Sequence, residues 1–227
     1  MPRPVHAWAD QPIHFIDFEG ARACGVLEYG VVTLQGGGIG PVHTRLCAPT
    51  GEIPAGDIAV HGLGPRQLAG CRPFSAEFEL FAGLRQTGPL AAHYAGVENA
   101  LLKAAWAYPR PSEDFARPGA RIADWGPWID SAVLAAHARP GLASQRLEAV
   151  VAALGLQETL DGLAATHCPA ARRHYHAAPY DALASAVIVR ALVAEPPLAG
   201  LTLSRLLVLS TRNAGRREAM VQRDLFG

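Results

Sequence analysis

The sequence predicts a mixed α/β fold in which a run of antiparallel strands is followed by strands alternating with helices. Three observations carry this. Short β-branched and aromatic segments, divided by glycines, crowd the first fifty residues. Beyond about residue 76, apolar residues recur at helical spacing and alternate with short apolar runs. Half of the 227 residues are hydrophobic and only 18% are charged, which supplies a sizeable core and argues against disorder along most of the chain.

The elements follow in order. Residues 13–18 (IHFIDF), 28–34 (EYGVVTL) and 42–47 (VHTRLC) read as strands of a meander, with Gly36-Gly37-Gly38 as one of the turns. Residues 76–87 place Phe78, Phe81, Ala82 and Leu84 on one helical face, 89–93 is an apolar strand, and a helix begins near Gly96. The Pro-, Gly- and aromatic-rich stretch 108–128 is a long ordered connection. It is either purely structural or a rim on which Trp125 or Trp128 stacks an unpaired base. Helices are expected near 131–138, 144–154, 179–194 and 202–209, with a polar segment from 211 to 227.

Charge and cysteine usage narrow the functions. Lys+Arg and Asp+Glu are 20 each, so no net charge advertises a polyanion-binding surface, although 19 of the 20 basic residues are arginine and Lys103 is the single lysine. Cys24, Cys47, Cys71 and Cys168 form no CxxC pair, which fits reduced thiols in a cytoplasmic protein. A zinc site drawn from His167, Cys168, His174 and His176 matches no standard spacing. No apolar run is long enough to span a membrane, and no secretory leader is apparent.

Three local patterns carry chemistry. Asp17 and Glu19 lie two apart on an otherwise apolar strand, so they share a face, and two close carboxylates are costly to bury unless a cation joins them. His93 ends the apolar strand 89–93, and Glu98 falls in the first turn of the next helix, where an acid also simply opposes the helix dipole. Pro179 suits a helix start, which puts Asp181 in a first turn and His176 in the loop before it.

Taken together, the three patterns resemble the motifs of the DEDDh 3'–5' exonucleases, the family of polymerase proofreading subunits and RNase T. Asp17 and Glu19 match the first motif, His93 and Glu98 the second, and His176 and Asp181 the third, over about residues 12–194. His61-Gly62-Leu63 resembles the family's His-Gly turn. Trp128-Ile129-Asp130-Ser131 and Ser144-Gln145-Arg146-Leu147 resemble two further landmarks. The chain departs from the family in having Glu98 where Asp is usual and Tyr94 where Asn is usual.

The resemblance implies a ribonuclease H-like mixed sheet, antiparallel in its first three strands and then parallel, flanked by helices. It implies two divalent cations, Mg²⁺ or Mn²⁺, held by Asp17, Glu19, Glu98 and Asp181, with His176 as general base. Gly20, Ala21, His61, Gly62, Leu63 and His93 would meet the terminal nucleotide. The implied activity is exonucleolysis at DNA 3' ends in repair or proofreading, ahead of an exoribonuclease of the RNase T type and of a catalytically weakened adaptor. The catalytic domain is expected to span 1–210, and 211–227 to be a flexible tail. There Gln222, Leu225 and Phe226 resemble the short peptide with which bacterial replication proteins bind the sliding clamp.

Overall fold

A computed structural model describes residues 7–212, together with Gly215 and Arg217. The meander forms as expected, with longer strands: β1 (Ile13–Ala21), β2 (Gly25–Gln35) and β3 (Gly38–Leu46), the last two joined at Gly36-Gly37. Next come two short helices, α1 (Ala55–His61) and α2 (Pro65–Leu68), then α3 (Phe78–Thr87), β4 (Leu90–Ala92) and α4 (Ala95–Ala105). The connection 108–128 carries a small hairpin, β5 (Ser112–Glu113) with β6 (Arg121–Ile122). After it come β7 (Ile129–Asp130), α5 (Ser131–Ala138), α6 (Leu147–Ala153), α7 (Gln157–His167), α8 (Ala178–Leu192) and α9 (Leu203–Ser210).

The main sheet has the order β3-β2-β1-β4-β7, antiparallel across β1–β3 and parallel across β1–β4–β7. Its period-2 alternation sends Ile13 and Phe15 into the core beneath α8 and α5, and Ile16 and Phe18 into an aromatic core with Phe74, Phe81 and Trp125. Both faces are therefore covered, and the carboxyl ends of the parallel strands open at one edge. No helix among the described residues is long and apolar enough to cross a membrane.

The 108–128 connection is ordered from within. The fully buried Arg85 guanidinium donates to the carbonyls of Glu113, Asp124 and Gly126, at 3.0, 3.2 and 3.0 Å, and lies 5.2 Å from the Phe115 ring centre. Trp125 is a correction to the base-stacking expectation. It is 0% exposed, its indole N–H donates to the Trp106 carbonyl at 2.8 Å, and a ring so enclosed offers no face to a base. Trp128 is half-buried and donates to Asn99 Oδ1.

Candidate active site

The site assembles where β1, β4 and the starts of α4 and α8 converge. Asp17 and Glu19 project from β1 on the same face as Phe15, toward α8. Cross-strand register sets Gly30 opposite Asp17 and Glu28 opposite Glu19. Gly30 is what lets α8 arrive. A Cβ there would stand 2.2 Å from the Ala178 carbonyl oxygen and 2.5 Å from Pro179 Cα, so any larger residue would hold the helix start away from the sheet. With α8 seated, the first-turn residue Asp181 is 7% exposed, and its Oδ2 accepts from the His176 N–H at 3.0 Å. Glu98, 5% exposed, enters from the first turn of α4 and accepts a hydrogen bond from the Phe18 backbone.

Carboxylate oxygens of Glu19 and Asp181 and a ring nitrogen of His176 lie within 4.8 Å of one another. Asp17 and Glu98 sit close enough to Glu19 and Asp181 to feel their charges. Burial first, and then the charges of Glu98, Asp181 and Glu19, raise the Asp17 carboxyl well above the usual carboxylate range. Burial raises Asp181 and Glu98 in the same way, with the Glu19 charge next in each case. Glu19 is pushed up to about 7 by burial and by Glu28, against the opposing pull of Arg172. The effect is repulsion between neighbouring buried carboxylates.

That donor set fits divalent cations. Glu98 Oε2 and Asp181 Oδ1 are buried with no hydrogen-bond partner among the described residues, and hard carboxylate oxygens are the ligands such ions prefer. Asp17, Asp181 and His176 line a cavity of about 360 Å³ whose opposite walls include Tyr94, Arg146 and Tyr175. The His176 imidazole is exposed at its rim, while its backbone takes φ 61°, a left-handed conformation that costs a non-glycine residue roughly 1–2 kcal/mol.

The remaining expected residues are arranged differently. Gly20 forms a β-bulge with φ 137°, where a Cβ would meet the Gly25 carbonyl at 2.2 Å, and Ala21 follows it at the strand end. Gly62 caps α1 in the left-handed region. His61 is 3% exposed. Its Nδ1 accepts from the Leu63 N–H, while Nε2 has no partner among the described residues. Leu63 is buried with Cys24, Leu27, Ile53 and Leu68, so its side chain serves the core and not a nucleotide. The His93 ring is spent on two bonds, to Ser131 Oγ at 2.8 Å and the Gln145 carbonyl at 2.7 Å, so it braces the site wall. The Tyr94 hydroxyl donates to the same carbonyl at 2.9 Å. Asp130 accepts from the Tyr94, Ala95, Ala132 and Val133 N–H groups, fastening β7 to the starts of α4 and α5. Cys168 is buried in the core, and no cluster of His167, Cys168 and His174 forms among the described residues. Gln222, Leu225 and Phe226 lie outside the described residues.

Two residues escaped the sequence patterns. Glu28 is 1% exposed and pairs with Arg172, 144 positions away, through bonds of 2.9 and 2.6 Å. No spacing rule links them. The only available signal was an acid inside an otherwise apolar strand.

Solved structures share this fold. One described as Exonuclease X in complex with 5' overhanging duplex DNA superposes with a TM-score of 0.65 at 18% identity, over 88% of this chain and 99% of that one. The chain has the fold of that exonuclease. A 3'-exonuclease solved in recognition of a histone mRNA stem-loop gives 0.61 at 15% identity, over 85% of this chain and 66% of that one. Exonuclease I from E. coli, solved with a dA16 oligonucleotide, gives 0.63 at 15% identity and covers 93% of this chain, which spans 46% of that enzyme. No protein-family model and no curated protein matches the chain in sequence.

Proposed function

We propose that the chain is a metal-dependent 3'–5' exonuclease that hydrolyses the terminal phosphodiester of DNA. One observation carries the reading: on a fold shared with solved exonucleases, Asp17 feels the charges of Glu98, Asp181 and Glu19 together, and Glu98 Oε2 and Asp181 Oδ1 are buried with no hydrogen-bond partner among the described residues. When bound, two divalent cations, Mg²⁺ or Mn²⁺, supply Lewis-acid stabilisation of the charge that builds on the phosphate and the departing 3' oxygen. Asp17 stands centrally, beside the other three acids. The exposed His176 imidazole accepts the proton of the attacking water. By the family resemblance, the Gly20 bulge and the His61-Gly62 turn would meet the terminal nucleotide. The buried Glu98 oxygen, without a hydrogen-bond partner among the described residues, supports a complete cage and weighs against the weakened-adaptor reading.

The test is incubation of 5'-labelled single-stranded DNA, mismatched duplex and RNA with Mg²⁺, Mn²⁺ or chelator. Stepwise shortening from the 3' end that stops with chelator is expected. Asp17→Ala and His176→Ala should each abolish most of it while melting cooperatively, and an undiminished rate in either variant rejects the assignment. RNA is retained as a second substrate because one structural neighbour is described with histone mRNA. The RNA arm of the assay decides between them.

The segment 211–227 adds a second part to the reading: Gln222, Leu225 and Phe226 dock in the groove of a bacterial sliding clamp. Two large apolar residues ending a polar segment support it. A labelled peptide of residues 218–227 that fails to bind a clamp that captures a known clamp peptide would reject it.

A further inference from the structure

The Arg172 guanidinium stands behind the proposed catalytic groups, not among them. Arg172 ends a short 3₁₀ turn (Ala170–Arg172), its side chain is 14% exposed, and its bonds reach three other segments. Nε and Nη2 grip the Glu28 carboxylate on β2, Nη1 donates to the His61 carbonyl at 2.9 Å, and Nη2 donates to the His176 carbonyl at 3.3 Å. Glu28 Oε2 accepts in addition from the Ala178 N–H at 3.0 Å, at the start of α8. The peptide groups of His176 are thus held on both sides, its N–H by Asp181 and its carbonyl by Arg172. These are the restraints that a left-handed, non-glycine backbone needs in order to persist. The planar fork matters, because three differently directed acceptors must be met at once, and an ammonium offers no such fixed geometry.

We propose that Arg172, locked in place by Glu28, is a positioning residue that fixes the His176 backbone and so aims the imidazole at the cavity edge. Because the same guanidinium holds the His61 carbonyl, the turn after α1 and the His176 loop are joined as one body. The proposal rests on the reading of His176 as general base.

The experiment uses the full chain with two variants. Arg172→Lys keeps the charge and loses the fork. The charge-matched pair Arg172→Met with Glu28→Gln avoids leaving a buried carboxylate alone. Both should melt cooperatively. In both, kcat on a 5'-labelled oligonucleotide should fall by about 10- to 100-fold with KM within about threefold, the pattern of a misplaced reacting group. Mn²⁺ affinity measured by calorimetry should stay within about threefold of wild type for Arg172→Lys, since no cage carboxylate has changed. The His176 imidazole NMR signals, assigned with His176→Gln, should shift in the metal-free chain. Wild-type kcat in either variant, or unmoved imidazole signals in both, overturns the proposal. If the wild-type chain hydrolyses nothing, the nuclease reading falls, and the imidazole signals still judge whether Arg172 sets the position of His176.

Discussion

Glu19→Gln is predicted to stabilise the metal-free chain while removing its response to divalent cations. Glu19 titrates at 4.5 when unperturbed and near 7 in the fold, where burial and the charge of Glu28 disfavour its ionised form. The folded state therefore holds a proton that the unfolded chain has released, and stability drains away as pH rises between those two values. At about 1.4 kcal/mol per pH unit, Glu19 alone accounts for about 3 kcal/mol. For a domain of this size, that corresponds to roughly 6–12 °C in Tm.

The raw wild-type curve mixes in His14, which burial holds down to about 4 and whose contribution runs the other way. In the difference between variant and wild type that contribution cancels. Thermal melts followed by circular dichroism in chelator, from pH 4.5 to 8, should show near-equal melting points at the acid end. The advantage of Glu19→Gln should then grow and level off above pH 7. With Mg²⁺ in place of chelator, wild type should recover stability by mass action, increasingly so at higher pH, and the variant should recover far less. A variant no more stable than wild type at pH 8 in chelator, or an advantage that shrinks as pH rises, would refute the account of the site as mutually repelling carboxylates awaiting cations.

Other substitutions separate chemistry from packing. Glu98→Asp should retain activity or alter the Mg²⁺/Mn²⁺ preference, whereas Glu98→Ala should lose activity. Equal rates for all three side chains would remove residue 98 from the site. Gly30→Ala should cost about 1–3 kcal/mol by overpacking against α8 and, by displacing Asp181 from Asp17, lower kcat by about 100-fold. A wild-type rate would show that the helix start can yield without consequence. Trp125→Ala should destabilise by about 3–5 kcal/mol in urea melts while leaving KM for single-stranded DNA unchanged, and a raised KM without a stability loss would restore the base-stacking role.

Much of this fold was legible because its signals are local. Gly36-Gly37 punctuates the meander, Pro179 and Asp181 announce the start of α8, and two-residue spacing puts Asp17 and Glu19 on one face. The helix α7 escaped notice because only Leu160 and Ala164 are buried along its eleven residues and Gly162 interrupts it, which leaves almost no apolar stripe to read. α1 buries only His61, and β5 and β6 are two residues each, below the length at which alternation means anything. The chemistry-bearing acids could be found because Asp17 and Glu19 stand out in an apolar strand and Glu98 and Asp181 fall in first turns of helices. The groups that hold them could not: the Glu28–Arg172 pair, the Arg85 staple and the Asp130 pin are made by partners 28 to 144 residues apart, and only folding brings them together.

The separation of β2 from α8 has a consequence for how variants of this chain should be judged. Gly30 titrates nothing, binds nothing and donates nothing from a side chain, yet the width of the carboxylate cluster is set there, by one carbon atom that is missing. A survey that looks for function only among reactive side chains would score this position as filler. A screen for lost activity would place it beside Asp17. In this molecule the spacing between two buried acids is written in empty space, and the smallest residue in the sheet carries as much of the site's specification as the acids it allows to meet.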